Sequence, residues 1–189
     1  MWKDPHTRNN DTHTRKARKE GFLARSVYKL EELDEKFRLF DETVNTVLDI
    51  WCAPGSWLQY VSSKLQNGQA IGLDIKEVKL NLPYVTTYQQ DITDRTWVQN
   101  ILEQHQIEKF DLIISDMAPD TIWTSDIDAI RSIGLIEKSL WLYEDHLKEW
   151  GKFAIKIFMW PWFEEFVRDC KEKRLSLIHI SEPTRRHLI

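Results

Sequence analysis

The sequence has little glycine, little cysteine and no long apolar run. Glycine occurs 6 times in 189 residues, about 3% where about 7% is usual. Cysteine occurs only as Cys52 and Cys170, with no C-x-x-C pair, which excludes a disulfide framework and a cysteine-rich zinc site. No stretch reaches the roughly 18 apolar residues that a membrane span needs. Since the first residues also lack the apolar run of a signal peptide, we predict a cytoplasmic protein.

The composition is that of one globular domain. A chain of 189 residues, 42% apolar and 30% charged, has the length of an ordinary domain and enough apolar residues to bury a core, which excludes wholesale disorder. The six histidines show no ligand spacing on one element, so we predict no metal site. We also expect the chain to be a monomer.

Charge is distributed unevenly along the chain. The net charge is −4, yet residues 1–30 contain eight Lys or Arg against three acids, a local charge of +5. A basic arm on an acidic body is typical of a segment that neutralises nucleic-acid phosphates. Charge alone equally fits a solvated terminus without a partner.

Apolar periodicity predicts strands that alternate with helices. Residues 1–20 have no such periodicity, and we expect them to lie loosely on the surface. Ser56 is the predicted N-cap of the helix that follows the first strand. The predicted strands cover 46–50, 69–74, 84–88, 110–115 and 152–157, and the predicted helices cover 25–37, 56–65, 95–106, 127–148 and 163–173.

This alternation predicts an α/β fold with a mostly parallel sheet and helices on both faces. In such sheets ligands bind outside the carboxyl ends of the strands, near the point where the strand order reverses. Polar residues at several predicted strand ends therefore favour one shared crevice. They are Asp49, Asp74, Asp91, Asp116 and Lys156.

The loop after the first strand limits which ligand this crevice takes. Asp49-Ile-Trp-Cys-Ala-Pro-Gly-Ser-Trp57 is neither G-x-G-x-x-G nor G-x-x-x-x-G-K-[ST], so a dinucleotide and a nucleoside triphosphate are disfavoured. Asp74, nineteen residues after Gly55, suits hydrogen bonds from ribose hydroxyls. Asp91 suits an adenine amino group, although an acid there also fits a helix cap or a surface residue. An adenosine ligand without a phosphate bridge suggests S-adenosylmethionine.

Four segments carry a family resemblance. Glu20-Gly-Phe-Leu-Ala-Arg-Ser-Val-Tyr-Lys-Leu-Glu32, Cys52-Ala-Pro-Gly-Ser-Trp57, Ser115-Asp-Met-Ala-Pro119 and Ala154-Ile-Lys-Ile-Phe158 resemble, in order and spacing, the FtsJ/RrmJ family of ribosomal RNA 2′-O-methyltransferases. The resemblance extends over residues 14–173. It implies a Rossmann-like, S-adenosylmethionine-dependent domain that methylates a uridine ribose in large-subunit ribosomal RNA. The alternatives are an inactive RNA-binding relative that has lost the cofactor, or a methyltransferase acting on transfer RNA or another RNA.

The resemblance also implies the site residues. The family's Lys-Asp-Lys-Glu catalytic set falls on Lys29, Asp116 and Lys156. A lysine inside the apolar run of residues 153–158 suits a role in relieving a ribose hydroxyl of its proton. The family's cofactor contacts fall on five positions: Gly55, Trp57, Asp74, Asp91 and Asp116.

Tryptophan stands at five positions where the family pattern or a turn favours glycine: Trp51, Trp123, Trp150, Trp160 and Trp162. Because GGG and TGG differ by one base, as do GGA and TGA, we interpret the five as a base error or a reassigned codon. Trp51 lies in the cofactor loop, where a bulky side chain and a positive φ would conflict. We therefore expect it to weaken cofactor binding.

The carboxyl-terminal segment departs from the family. Residues 174–189 are typical of translated adaptor sequence and are predicted to be non-native. The family's last two strands and its catalytic glutamate are missing from them, and Glu182 does not match. We expect the fifth strand to form an open edge. The predicted organisation is a basic arm over 1–20, a methyltransferase domain over 21–173 and the tail.

Overall fold

The structure is a computed structural model that describes residues 12–116, 125–157, 168 and 177–181. The described helices are α1 (Thr12–Lys19), α2 (Val27–Phe37), α3 (Ser56–Lys64), α4 (Arg95–Gln104) and α5 (Ser125–His146). The described strands are β1 (Thr46–Ile50), β2 (Gln69–Asp74), β3 (Val85–Gln89), β4 (Phe110–Ser115), β5 (Leu147–Ile157) and β6 (Leu177–Ser181). Of the helix predicted over 163–173, only Arg168 lies within the described residues, and it is helical.

Within the described residues the strands form one six-stranded sheet in the order β3-β2-β1-β4-β5-β6. Every neighbouring pair is parallel, which confirms the predicted α/β class. The chain moves outward from β1 to β3 and then crosses back to β4 on the other side of β1. The strand order therefore reverses between β1 and β4, the position where ligands bind in this architecture.

Two apolar clusters cover the two faces of the sheet. Alternate strand residues point to opposite faces: Val47 of β1 belongs to the cluster with α2 and α3, whereas Leu48 belongs to the cluster with α4 and α5. On the first face Leu30 and Trp57 are buried, and on the second face Leu102 is buried. Helices therefore cover both faces, as predicted from the sequence.

The amino-terminal segment is more ordered than predicted. Residues 12–19 form α1, and Ala17 on this helix is 1% exposed. The Lys16 ammonium lies 4.5 Å from the centre of the Tyr28 ring, and the Tyr28 hydroxyl donates to Glu20 at 2.7 Å. The expectation of a loose segment was therefore wrong for residues 12–19. This helix could not be predicted from the sequence, because a helix that buries one small residue shows no apolar periodicity.

The edge next to β5 also differs from the prediction. Residues 177–181 form β6, which pairs with β5 from Phe153↔Leu177 to Ile157↔Ser181. The expectation of an open edge at β5 is therefore wrong. Leu177-Ile-His-Ile-Ser181 is rich in the apolar and β-branched residues that favour strands, and an unpaired strand edge is a template for such a segment.

A buried carboxylate joins α2 to α3. Asp34 is 8% exposed and accepts hydrogen bonds from the Tyr60 hydroxyl at 3.0 Å, the Lys64 ammonium at 3.0 Å and the Phe40 N–H at 2.9 Å. Burial raises the pKa of Asp34, but these three bonds outweigh burial and leave that pKa below its usual value. The carboxylate therefore stabilises the fold only while it is ionised.

We expect Asp34→Asn to destabilise the protein by about 1–3 kcal/mol near neutral pH, because a charge-assisted bond to Lys64 is lost in a buried place. The pKa of Asp34 in the folded protein lies below its unfolded-state value, which is about 3.9. The stability contributed by the carboxylate is therefore present above the unfolded-state pKa and is lost as the pH falls through the folded-state pKa. Urea unfolding at pH 7.5 and at about pH 2.5 measures this, and the difference from wild type should shrink at the lower pH. Glu35→Gln, an exposed change on the same helix, is the control. A difference independent of pH would contradict the role of charge.

Candidate active site

A cleft lies at the carboxyl ends of β1 and β4, where the strand order reverses. The free space between its walls, about 170 Å³, is open to solvent. The loop from β1 to α3 forms one wall, and the end of β4 forms the other. The lining residues are Asp49, Trp51, Cys52, Ala53, Ser56, Trp57 and Asp116.

Asp49 lies in the wall of the cleft and is completely buried. Neither of its carboxylate oxygens has a hydrogen-bond partner among the described residues. Burial raises the pKa of Asp49 well above its ordinary value, and the nearby carboxylates Asp116 and Asp74 raise it further. The end of β1 therefore carries a polar group that the described part of the chain leaves unsatisfied.

Asp74 ends β2 as predicted and fixes the shape of the cleft loop. One carboxylate oxygen accepts the Ala53 N–H at 2.8 Å, and the other accepts the Lys76 N–H at 2.7 Å. The side chain is nearly buried, with 5% of the residue exposed. A carboxylate has about four lone-pair sites, so these two bonds leave acceptor capacity for a ligand hydroxyl.

Gly55 permits the turn into α3. Its φ is 106° and it is the N-cap of the helix, which corrects the prediction of Ser56 as cap. A Cβ at this position would lie 2.3 Å from Leu80 Cδ1, so only glycine avoids both the strained backbone and the clash. The Ser56 hydroxyl instead hydrogen-bonds with the Ser26 hydroxyl at 2.9 Å.

Trp57, a predicted cofactor contact, is 2% exposed. Its indole Nε1–H donates to the Ser26 carbonyl at 2.9 Å, so most of this side chain holds α2 against α3. Because it lies in the first turn of α3, its backbone N–H belongs to the helix terminus that faces a ligand in such folds.

Trp51 has the conflict expected from the sequence. Its φ is 57°, a left-handed conformation that costs an L-residue roughly 1–2 kcal/mol. Its N–H donates to the Leu73 carbonyl at 2.8 Å, so β2 fixes the backbone here. The indole packs partly against the core and lines the cleft. Trp150, in contrast, is 90% exposed at the start of β5, and Trp123, Trp160 and Trp162 lie outside the described residues.

Asp91 lies beyond the end of β3 and is exposed. One of its oxygens accepts the Thr93 N–H at 2.9 Å and the Thr93 hydroxyl at 2.8 Å, whereas Asp94 caps α4 by accepting the Trp97 N–H. Its neighbour Gln90 donates to the Asp74 carbonyl at 2.7 Å. The structure therefore places Asp91 near the end of β2 but outside the cleft lining.

The three predicted catalytic residues come from three elements. Asp116 lines the cleft directly after β4. Ser115 pairs with Ile155 in the parallel register of β4 and β5, so Lys156 comes next on β5 beside Asp116; its side chain lies outside the described part of the chain. Lys29 lies one helical turn after Ser26 on α2, and its ammonium donates to Glu32 at 2.9 Å.

Comparisons with known proteins identify the family. A family model described as FtsJ-like methyltransferase matches residues 22–187. The chain belongs to the FtsJ-like methyltransferase family. This membership confirms the predicted methyltransferase class and, with it, S-adenosylmethionine as cofactor.

Several relatives of this FtsJ-like methyltransferase carry the name ribosomal RNA large subunit methyltransferase E. The protein from Desulfatibacillum aliphaticivorans is 39% identical over 164 residues, 86% of this chain and 77% of that protein. The protein from Bdellovibrio bacteriovorus is 36% identical over 175 residues, 92% of this chain and 88% of that protein. A crystal structure of a candidate ribosomal RNA methyltransferase from Plasmodium falciparum superposes with a TM-score of 0.72 at 26% identity, covering 80% of this chain and 86% of that one.

The residues of this FtsJ-like methyltransferase fit the cofactor by their chemistry. S-adenosylmethionine carries a sulfonium and an ammonium, and the cleft offers the unsatisfied Asp49 beside Asp74 and Asp116. Trp51 fits the cofactor poorly, because its indole lines the cleft and reduces the space for a ligand. Among the described residues, no group of three or more His, Cys, Asp or Glu is arranged to hold a metal ion, and no described helix has the length and apolarity to cross a bilayer.

Sequence reasoning missed the link between α2 and the cleft. The hydrogen bonds that join Ser56 and Trp57 to Ser26 position the helix that carries Lys29. In the sequence, the feature that could have indicated these bonds is the Arg-Ser pair that ends three residues before Lys29. The sequence pattern does not connect this pair to a loop thirty residues away. The unsatisfied state of Asp49 likewise requires three strands to be placed together.

Proposed function

We propose that this protein transfers a methyl group from S-adenosylmethionine to the 2′-hydroxyl of a uridine ribose in large-subunit ribosomal RNA. The proposal includes a cytoplasmic monomer that needs no metal. The observation that carries it is the acidic cleft at the β1–β4 reversal, with Lys156 at the next register position beside Asp116. The names of the relatives support the substrate class.

The proposed roles follow from the chemistry of a ribose hydroxyl, which is a poor nucleophile until its proton is removed. When bound, the cofactor supplies an electrophilic methyl group. Lys156 would accept or steer the hydroxyl proton, Asp116 would hold the Lys156 ammonium in place, and Lys29 would support the hydroxyl from α2. A positioned general base of this kind contributes about 10²–10⁴ in rate, and positioning of the reactants contributes further.

The proposed RNA surface begins on α1. Arg15, Lys16, Arg18 and Lys19 are exposed on this helix, and α1 rests on Tyr28, the residue before Lys29. Because α2 joins the cleft through Ser26, a basic surface leads from α1 toward the proposed catalytic residues. Phosphate contacts fix the position of a nucleic acid without reading its sequence, which is the role we assign to this surface.

The test of this function is methyl transfer to large ribosomal subunits isolated from a strain without the endogenous activity. The chain and its Trp51→Gly variant are incubated with tritiated S-adenosylmethionine and these subunits. We expect label in alkali-resistant dinucleotides of large-subunit RNA, because a 2′-O-methyl group blocks hydrolysis of the adjacent phosphodiester. Transfer RNA is the control substrate. Label on transfer RNA alone would contradict the substrate class, and RNA binding without label by either protein would favour the inactive relative.

A further inference from the structure

Asp49 requires an explanation beyond the fold. A buried polar side chain is normally hydrogen-bonded, and an exception marks a strained or functional group. Here both carboxylate oxygens are buried at the end of β1 without a partner among the described residues. Asp49 is one of the residues that line the cleft, so a charge bound in the cleft would act on its carboxyl group.

Among the described residues, the elements around Asp49 supply negative rather than positive charge. Asp74 acts on it from β2, and Asp116 acts on it from the end of β4. The Cys52 thiol faces it from the loop, and burial raises the pKa of that thiol above its ordinary value, with Asp49 and Asp74 adding to the effect. The wall contributed by α3 is Ser56 and Trp57, and none of the described residues lining the cleft is cationic.

We propose that Asp49 is a neutral carboxylic acid in the cofactor-free protein and ionises when the positively charged end of the cofactor enters, so that binding releases one proton to solvent. The inference rests on the proposed function for its ligand. Removing a carboxyl from water disfavours its charged form, and an opposite charge within about 4–6 Å favours it. The entering cation thus supplies a partner that the described residues do not, and the Asp49 O–H bond breaks with its proton passing to the buffer.

Calorimetry counts this proton. The Trp51→Gly variant is titrated with S-adenosylmethionine at pH 7 in buffers of different ionisation enthalpy. We expect release of about one proton per cofactor bound, and none from the same chain carrying Asp49→Asn. S-adenosylhomocysteine, which has the ammonium but not the sulfonium, distinguishes which group ionises Asp49. Binding with the same heat in every buffer would overturn the inference while leaving the proposed function intact.

A second measurement needs no ligand. A carboxyl whose pKa is higher in the folded than in the unfolded state does not lower the free energy of unfolding at a pH below its unfolded-state pKa. The destabilisation grows as the pH rises toward the folded-state pKa. Asp49→Asn removes this destabilisation, so its melting temperature should equal that of wild type near pH 4 and exceed it by at least about 3 °C at pH 8. If the cofactor failed to bind, the proposed function would be contradicted. The melting temperatures at the two pH values would still show whether Asp49 is neutral or ionised.

Asp111→Asn is the matched control, because its carboxylate has partners. Burial raises the pKa of Asp111, but bonds from Lys148, Asn45 and Thr46 outweigh burial and lower it. We expect this variant to melt below wild type at pH 8, the opposite sign to Asp49→Asn. If Asp49→Asn also melted lower at pH 8 than wild type, Asp49 would be an ionised structural carboxylate and the inference would be wrong.

Discussion

Trp51→Gly is expected to bind S-adenosylmethionine at least about tenfold more tightly than the wild-type chain, a gain of about 1.4 kcal/mol. The indole lines the cleft, and glycine removes it from the wall. Because β2 holds the Trp51 N–H through the Leu73 carbonyl, the backbone cannot turn the indole away without losing that bond. Isothermal titration calorimetry of both chains measures the affinity.

Trp51→Ala separates bulk from backbone strain. Alanine also opens the cleft, so both variants should gain affinity, but only glycine adopts a φ of 57° without cost. The glycine variant should therefore be more stable than the alanine variant by about 1 kcal/mol. Trp150→Gly, an exposed change at the amino end of β5, should leave affinity unchanged. Equal affinities of wild type and Trp51→Gly would refute the steric role of Trp51.

The sequence contains most of the information for the sheet and its ligand edge. Acids that directly follow apolar strands, such as Asp74 and Asp116, had to meet at one edge once the strands were parallel. The sequence has little glycine and carries tryptophan at position 51, where the family pattern favours glycine, and the structure shows a positive φ there. These predictions succeeded because strand periodicity and the parallel rule use local information.

The features that escaped prediction depend on distant partners. Helix α1 buries only Ala17, and β6 comes from a segment that we interpreted as non-native. The Lys152 ammonium, on β5, reaches the Arg38 carbonyl at 2.7 Å and also pairs with Asp41, a contact across more than a hundred residues. Asp91 shows the converse limit: its chemistry suits a ligand, but in the structure its hydrogen-bond partners are those of a turn.

Lys156→Ala is expected to reduce methyl transfer by at least about a hundredfold while leaving cofactor affinity within about twofold, because a general base contributes 10²–10⁴ in rate without holding the donor. The register places Lys156 beside Asp116 at the carboxyl end of β5. Single-turnover transfer of tritiated methyl groups to undermethylated subunits, in the Trp51→Gly background at saturating cofactor, isolates the chemical step from binding.

Lys109→Ala is the matched control for Lys156→Ala. Lys109 is an exposed lysine directly before β4, so it lies at the amino end of the strand, whereas the cleft lies at the carboxyl end. This control variant should leave the single-turnover rate unchanged. Asp116→Asn should also lower the rate, since the amide cannot balance the Lys156 ammonium; because Asp116 lines the cleft, this variant should weaken cofactor binding as well. Near-wild-type turnover by Lys156→Ala would remove Lys156 from the chemistry and leave Lys29 as the remaining predicted amine.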